Sequence, residues 1–380
     1  MTKHTRFALA GAIYFVFATR LYWPYYKGLG ALQLQVLFII NTCLASLGCY
    51  VLSRRWVIGF VESFFAGTLY GFGPFSLGIA KFHPTAGLLV AAIPWLFCPA
   101  VFGPSPREMM AFPISRGKGK FKPLRVPLSL LPFLAIVLFF QLAGRFGLYP
   151  IPINLKLHGA EMTGLLAPLV AAKRNMTSVG FYHIPLASLI MGLSMFLVPL
   201  EGLGKGGILH RGKILRGLAV RRLGIVIIFV VSTILSFCDS LLQVSPIIWL
   251  AISMLCCSIL IGVGMQGFIS AGFADRKWIL FAAVVMGILA IVTLLFATKY
   301  FQVFAGLGSV YARLLTEEAK MYILGAITAG IIFFYTRAKF RMQRSFKLKV
   351  LSLKLEMALL CGTMGLDIFL GARFIIDTIL

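Results

Sequence analysis

The sequence predicts an all-α polytopic membrane protein with about 11 transmembrane helices and one further helix that re-enters from, or lies along, the outer face. Three observations lead there. The chain is 60% hydrophobic and only 12% charged over 380 residues. Its mean hydropathy is +0.95, more apolar surface than a soluble domain of this length can hide. The apolar runs are also solid rather than alternating, which excludes the strand pattern of an outer-membrane barrel.

The first span, 6–23, follows Lys3 and Arg6 and reads at first as a secretory leader. No small-residue cleavage site follows it; Arg20 and an aromatic cluster do, so the segment reads as a retained helix. Further spans fall at 31–52, 57–80 and 84–102, before a basic loop containing "SRGKGKFKPLR". The next span, 125–147, opens on a proline pair, "VPLSLLPFL", and ends near Arg145. After it come 180–200, 223–243, 245–268, 277–298, 319–336 and 352–372.

With the N-terminus inside and the chain alternating, the inner segments are the N-terminal residues, 53–56, 103–125, 201–222, 269–277 and 337–354. They carry 2, 2, 6, 6, 2 and 7 Lys and Arg residues, 25 of the 36 in the chain. That asymmetry follows the positive-inside rule. It also decides the stretch "LHGAEMTGLLAPLVAAKR" at 157–174. Counting it as a span would turn "HRGKILRGLAVRR" and "RAKFRMQRSFKLK" outward. Only 15 residues run from Gly159 to Lys173, fewer than the roughly 20 a span needs. The turns "YPIPIN" and "NMTSVG" bracket it. It is expected on the outer side.

Three regions result: a four-helix N-terminal lobe at 1–124 ending in the basic loop, a six-helix lobe at 125–340, and a basic linker with the last helix at 341–380. The expected location is the cell inner membrane, multi-pass, with a cytoplasmic N-terminus. The net charge of +25 then belongs to loops facing anionic headgroups, not to a nucleic-acid surface. The seven cysteines lie almost all in apolar runs, without C-x-x-C or Cys/His ligand spacing, and read as core residues. There is no P-loop, no dinucleotide fingerprint and no H-E-x-x-H. No histidine lies mid-span, where a haem would need one, and neither metal nor cofactor is expected.

The candidate site residues are charges that are costly in or beside hydrocarbon. Glu62 falls near the inner end of its span, and Glu356 and Asp367 fall in the last one. Their separation of 11 residues, at about 100° per residue, places both acids on one helix face, expected to point into the bundle. His158 and Glu161, three apart, share a face of any helix at the outer surface and have the chemistry of an acid and base pair. Arg145, Lys173 and Arg174 on the outer side, with Arg211 and Arg216 on the inner side, are expected phosphate contacts. The segment around Arg211 and Arg216 alternates with Ile208, Leu215 and Leu218 and reads as an amphipathic inner-surface helix.

From residue 125 to about 340 the order of elements resembles one lobe of the multidrug/oligosaccharidyl-lipid/polysaccharide (MOP) flippase superfamily. The resemblance rests on the opening proline pair, "VPLEGLGKGG" leading into a basic loop, two helices with a tight outer turn, "FADRKWIL", "FAGLGSVYARLL", and a helix ending "YTRAKFRMQ". It implies two helical lobes rocking about a central cavity. Only four spans precede this lobe, where a complete flippase lobe has six. Three readings of function follow. The first is a transporter or flippase for an amphipathic, anionic lipid-linked or small substrate. The second is a non-catalytic integral subunit of a larger membrane complex. The third is an intramembrane lipid-modifying enzyme using His158 and Glu161. The expected partners are membrane lipids with anionic headgroups and other membrane proteins.

Overall fold

The computed structural model describes residues 3–22, 32–57, 59–82, 84–100, 125–148, 151, 167, 169–170, 224–270, 276–303, 308–341 and 346–379. Among them every regular element is helical. In chain order these are α1 (Lys3–Tyr22), α2 (Leu32–Ser53), α3 (Phe60–Gly71), α4 (Pro74–Phe82), α5 (Pro84–Ala100) and α6 (Arg125–Arg145). Then come α7 (Gly224–Phe237), a 3₁₀ turn at Leu241–Gln243, α8 (Pro246–Ser270), α9 (Arg276–Val303), α10 (Gly308–Arg341) and α11 (Phe346–Ile379).

Five of the described helices contain stretches long and apolar enough to cross a membrane: Val36–Ser53, Pro246–Phe268, Arg276–Lys299, Ser309–Thr336 and Leu355–Phe374. The chain is therefore a membrane-embedded helical protein. The secondary structure follows from the solvent, because hydrocarbon offers the backbone no hydrogen bonds and a helix satisfies its own.

Helix α8 is the central column. It is apolar on all sides, and every residue from 244 to 265 is buried, as expected of a helix with no polar face. Ser253 Oγ lies 2.9 Å from Ser232 Oγ and 3.0 Å from Thr233 Oγ1, joining α8 to α7, while the Ser258 hydroxyl donates within α8 to the Met254 carbonyl at 2.8 Å. Helix α9, by contrast, exposes Leu280, Val284, Ile288, Ile291 and Leu295 along one side. That i, i+4, i+7 stripe suits a lipid-facing surface. Its other side packs on α10, and the Arg276 guanidinium lies 4.1 Å from the centre of the Phe333 ring where α9 begins.

Helix α3 touches α1, α2, α4, α8 and α11, and small residues make that possible. A Cβ at Gly71 would collide with Ser46 Oγ and sit 2.7 Å from the Thr42 carbonyl oxygen of α2. One at Gly67 would collide with Tyr14 Oη and lie 2.5 Å from the Ser46 carbonyl oxygen. On the opposite side, a Cβ at Gly262 of α8 would stand 3.0 Å from both Ala66 Cβ and the Glu62 carbonyl oxygen. Small residues four apart bring membrane helices into backbone contact. Across this contact Cys49 Sγ donates to the Ala66 carbonyl at 3.3 Å and Ser53 Oγ to the Ser63 carbonyl at 3.4 Å. Tyr70 Oη donates to the Val90 carbonyl at 2.8 Å, fixing α5 to the same helix.

The structure departs from the expected single span at 57–80. The helix breaks at Phe72 and Gly73, between α3 and α4. Pro74 explains the break. It has no N–H to give the Tyr70 carbonyl, so the α3 ladder cannot continue through it. The Ser76 hydroxyl donates to that carbonyl instead, at 2.5 Å. Helix α10 departs in the other direction, starting at Gly308 rather than 319. The added turns are amphipathic. Exposed Glu317 and Lys320 pair at 2.7 Å, while neighbouring Glu318 and Ala319 are buried. Segment 180–200 and most of 148–180 lie outside the described residues.

Replacing Ser76 by Ala removes the donor that the break requires. It is expected to cost about 1–2 kcal/mol, as an unmet buried carbonyl does. In a Pro74→Ala background the restored N–H takes over, and Ser76→Ala becomes nearly neutral. A double-mutant cycle on thermal unfolding in detergent checks this coupling.

Candidate functional site

Helices α1, α3 and α11 enclose a cleft with a volume of about 880 Å³. It arises from how α1 docks. Ala10, Tyr14, Ala18 and Tyr22 form an i, i+4 stripe that is buried throughout. Tyr14 stacks on Phe64 with ring centroids 4.6 Å apart and donates its hydroxyl to the Phe64 carbonyl at 2.7 Å. The next helix face, bearing Phe17, Arg20 and Leu21, is thereby turned to the cleft. From α3 the wall is built by Phe64, Phe65, Thr68 and Phe72. Phe72 stands at the α3–α4 break. Thr68 Oγ1 donates to the Phe64 carbonyl at 2.9 Å, so that hydroxyl is already engaged.

Helix α11 closes the third side with a face running from Cys361 through Gly365 and Ile368 to Ile376. Gly365 leaves the middle open: a Cβ there would meet only the Phe65 ring edge, at 3.9 Å. The lining is apolar and aromatic except at Thr68, Cys361, Arg20 and Arg373. The two arginines come from different helices, and among the described residues no acid lines the cleft with them. Both are near the C-terminal ends of their helices, on the side the charge pattern assigns to the outside. Phe17 is 50% exposed and Phe369 49% exposed, so the cleft opens sideways between α1 and α11.

Of the residues singled out from the sequence, Glu62, Glu356 and Asp367 are buried. Glu62 is the third residue of α3, and its carboxylate folds back over Gly59, the residue preceding that helix. The absence of a side chain at Gly59 leaves the room this carboxylate occupies. Arg54 Nη1 donates to the Gly59 carbonyl at 3.4 Å, at the same helix start. Glu62 Oε2 has no hydrogen-bond partner among the described residues. Phe64 and Phe65, two and three residues further along α3, line the cleft, and Glu62 is not among its lining residues. Glu62 thus borders the cleft without lining it.

Glu356 and Asp367 lie on the buried face of α11 with Leu360, Thr363, Met364 and Ile368. That face meets α10 along a polar seam. Thr328 and Thr363 hydrogen-bond at 2.7 Å, and Glu318 and Tyr322 of α10 are buried, as is Asp367 of α11. Arg145 is exposed in the last turn of α6, a helix that packs on α5 and the 3₁₀ turn, away from the cleft. His158, Glu161, Lys173, Arg174, Arg211 and Arg216 lie outside the described residues. Among the described residues, no three His, Cys, Asp or Glu side chains are grouped to hold a metal ion.

Three residues in these arrangements escaped the sequence reading. Arg20 counted there only as evidence against a cleaved leader, and Arg373, one residue past the span 352–372, was not singled out. The available signal was that both arginines end helices on the same expected side. Glu318 was missed because the span was started one residue after it. Its Oε1 accepts the backbone N–H groups of Leu169, and of Val170 at 3.4 Å. These two helical residues belong to the expected outer-face segment. A buried acid of α10 therefore holds the backbone of Leu169 and Val170.

No protein-family model, no curated protein and no solved structure matches the chain.

Glu318→Ala is expected to strip the Leu169 and Val170 N–H groups of their acceptor and to destabilise that contact by about 1–3 kcal/mol. Glu318→Gln keeps an acceptor oxygen and is expected to lose less. Hydrogen exchange of the peptide containing 169–170 checks this: faster exchange in the Ala variant, with the Gln variant closer to wild type.

Proposed function

We propose that the protein is a membrane transporter or flippase that moves an amphipathic, anionic lipid-linked or small substrate across the bilayer. The observation that carries this reading is the cleft between α1, α3 and α11. It is apolar along its length, charged at one end, open sideways, and large enough for a ligand. An amphiphile can enter such a cleft from the lipid phase with its polar end leading to the arginines and its hydrocarbon against phenylalanine.

The α3–α4 break supports the same reading. Transporters place substrate beside discontinuous helices, where the chain can bend, and Phe72 lines the cleft at this break. The chain is read as eleven spans with a cytoplasmic N-terminus in a cell inner membrane. The order of elements over about 125–340 that resembles a MOP flippase lobe agrees with the assignment. The basic inner segments gather anionic headgroups on the side opposite the cleft's arginines.

Reconstitution tests the proposal. The chain is placed in liposomes containing fluorescent phosphatidylglycerol, and a membrane-impermeant quencher reports movement between leaflets. Wild type is expected to exceed empty liposomes. Gly365→Trp, whose side chain fills the cleft, is expected to slow movement about 10-fold, about 1.4 kcal/mol on the barrier. No movement above empty liposomes, for anionic and neutral amphiphiles alike, removes the transport reading.

A further inference from the structure

The same cleft, taken as the transport site, carries an assignment of its ligand. We propose that it binds one phosphate-bearing lipid, with the phosphate between Arg20 and Arg373 and one hydrocarbon chain lying along Phe64, Phe65 and Phe369. The inference rests on the transport reading for its biological setting, and on the arrangement of charge for its chemistry.

The charge is confined to one end of an otherwise apolar cavity. A free inorganic anion would leave the aromatic wall unused. An uncharged lipid would offer the two guanidinium groups lining the cleft no anionic group. A lipid phosphate uses both parts. Guanidinium forks suit phosphate oxygens, and a phosphate offers separate oxygens to donors arriving from two helices. Arg373 also interacts within the chain. With five N–H donors in a guanidinium, that contact and an anion can be held together. The cavity's position supports a lipid as well. Phe17 and Phe369 are half exposed at its side, beside Arg20 and Arg373, so a chain passes out toward the bilayer while the headgroup stays at the helix ends.

Native mass spectrometry of the full-length chain in mild detergent tests the assignment. The probes are phosphatidylglycerol, diacylglycerol with the same chains, and glycerol 3-phosphate. Wild type is expected to retain one phosphatidylglycerol and to discriminate against diacylglycerol. Arg20→Gln and Arg373→Gln are each expected to weaken retention on the order of 10-fold. Arg→Lys at either position is expected to recover part of the loss, since the charge remains and the fork is lost. Lys320→Gln, at an exposed position on α10, serves as the folded control.

Equal retention of phosphatidylglycerol by wild type and both Gln variants overturns the site, as does equal retention of diacylglycerol. Displacement of the lipid by equimolar glycerol 3-phosphate replaces the lipid by a soluble phosphate and overturns the assignment. The two readings fail separately. Arginine-dependent lipid binding without leaflet movement removes transport and leaves the phosphate site. Movement in wild type with lipid binding indifferent to the arginines removes the phosphate site and leaves transport.

Discussion

The approach of α3 to its neighbours at backbone distance is the constraint on which the rest of the structure depends. Gly67 and Gly71 let α2 and α1 come against one side of α3, and Gly262 lets α8 come against the other. Water supplies no driving force between helices in lipid, so close packing and interhelical hydrogen bonds must hold them. Each Cβ removed here brings more atoms into contact and lets hydroxyls and thiols reach carbonyls on the next helix. With α3 fixed this way, α1 is placed by Tyr14 and α5 by Tyr70. Helix α11 then cannot close fully on α1. The cleft is the space left by this geometry, and its wall is the part of α3 where Phe64, Phe65 and Phe72 replace small residues.

Much of the fold was legible because hydrocarbon imposes a simple rule. Uninterrupted apolar runs become helices, and α2, α8, α9 and α11 fall where the runs predict. The break at Phe72 and Gly73 was marked in the sequence by "GFGPF" but was absorbed into a longer apolar run, because hydropathy averages over a proline that the backbone cannot ignore. The beginning of α10 was missed for the opposite reason. Arg313, Glu317 and Glu318 interrupt the apolar pattern before 319, yet residues 308–318 continue the helix, since charged residues with long side chains are good helix formers.

The site was less legible, because it depends on which helices become neighbours. Glu62 attracted notice as a charge in an apolar run, and Gly59, which has no side chain, makes room for its carboxylate at the start of α3. Arg20 and Arg373 are separated by most of the chain, and nothing local pairs them. Their relation comes only from α1 and α11 flanking α3. The polar seam between α10 and α11 was half visible: the spacing of Glu356 and Asp367 sets one face, and the antiparallel register that brings Thr328 to Thr363 supplies the other.

The contact between Glu318 and the N–H groups of Leu169 and Val170 joins residues up to 149 positions apart in the chain. A ribosome adding roughly 5–20 residues per second needs on the order of 7–30 s to cover that distance. During this interval the segment at 169–170 has emerged and its partner has not been made. Its final placement is therefore settled late, after α10 is synthesised.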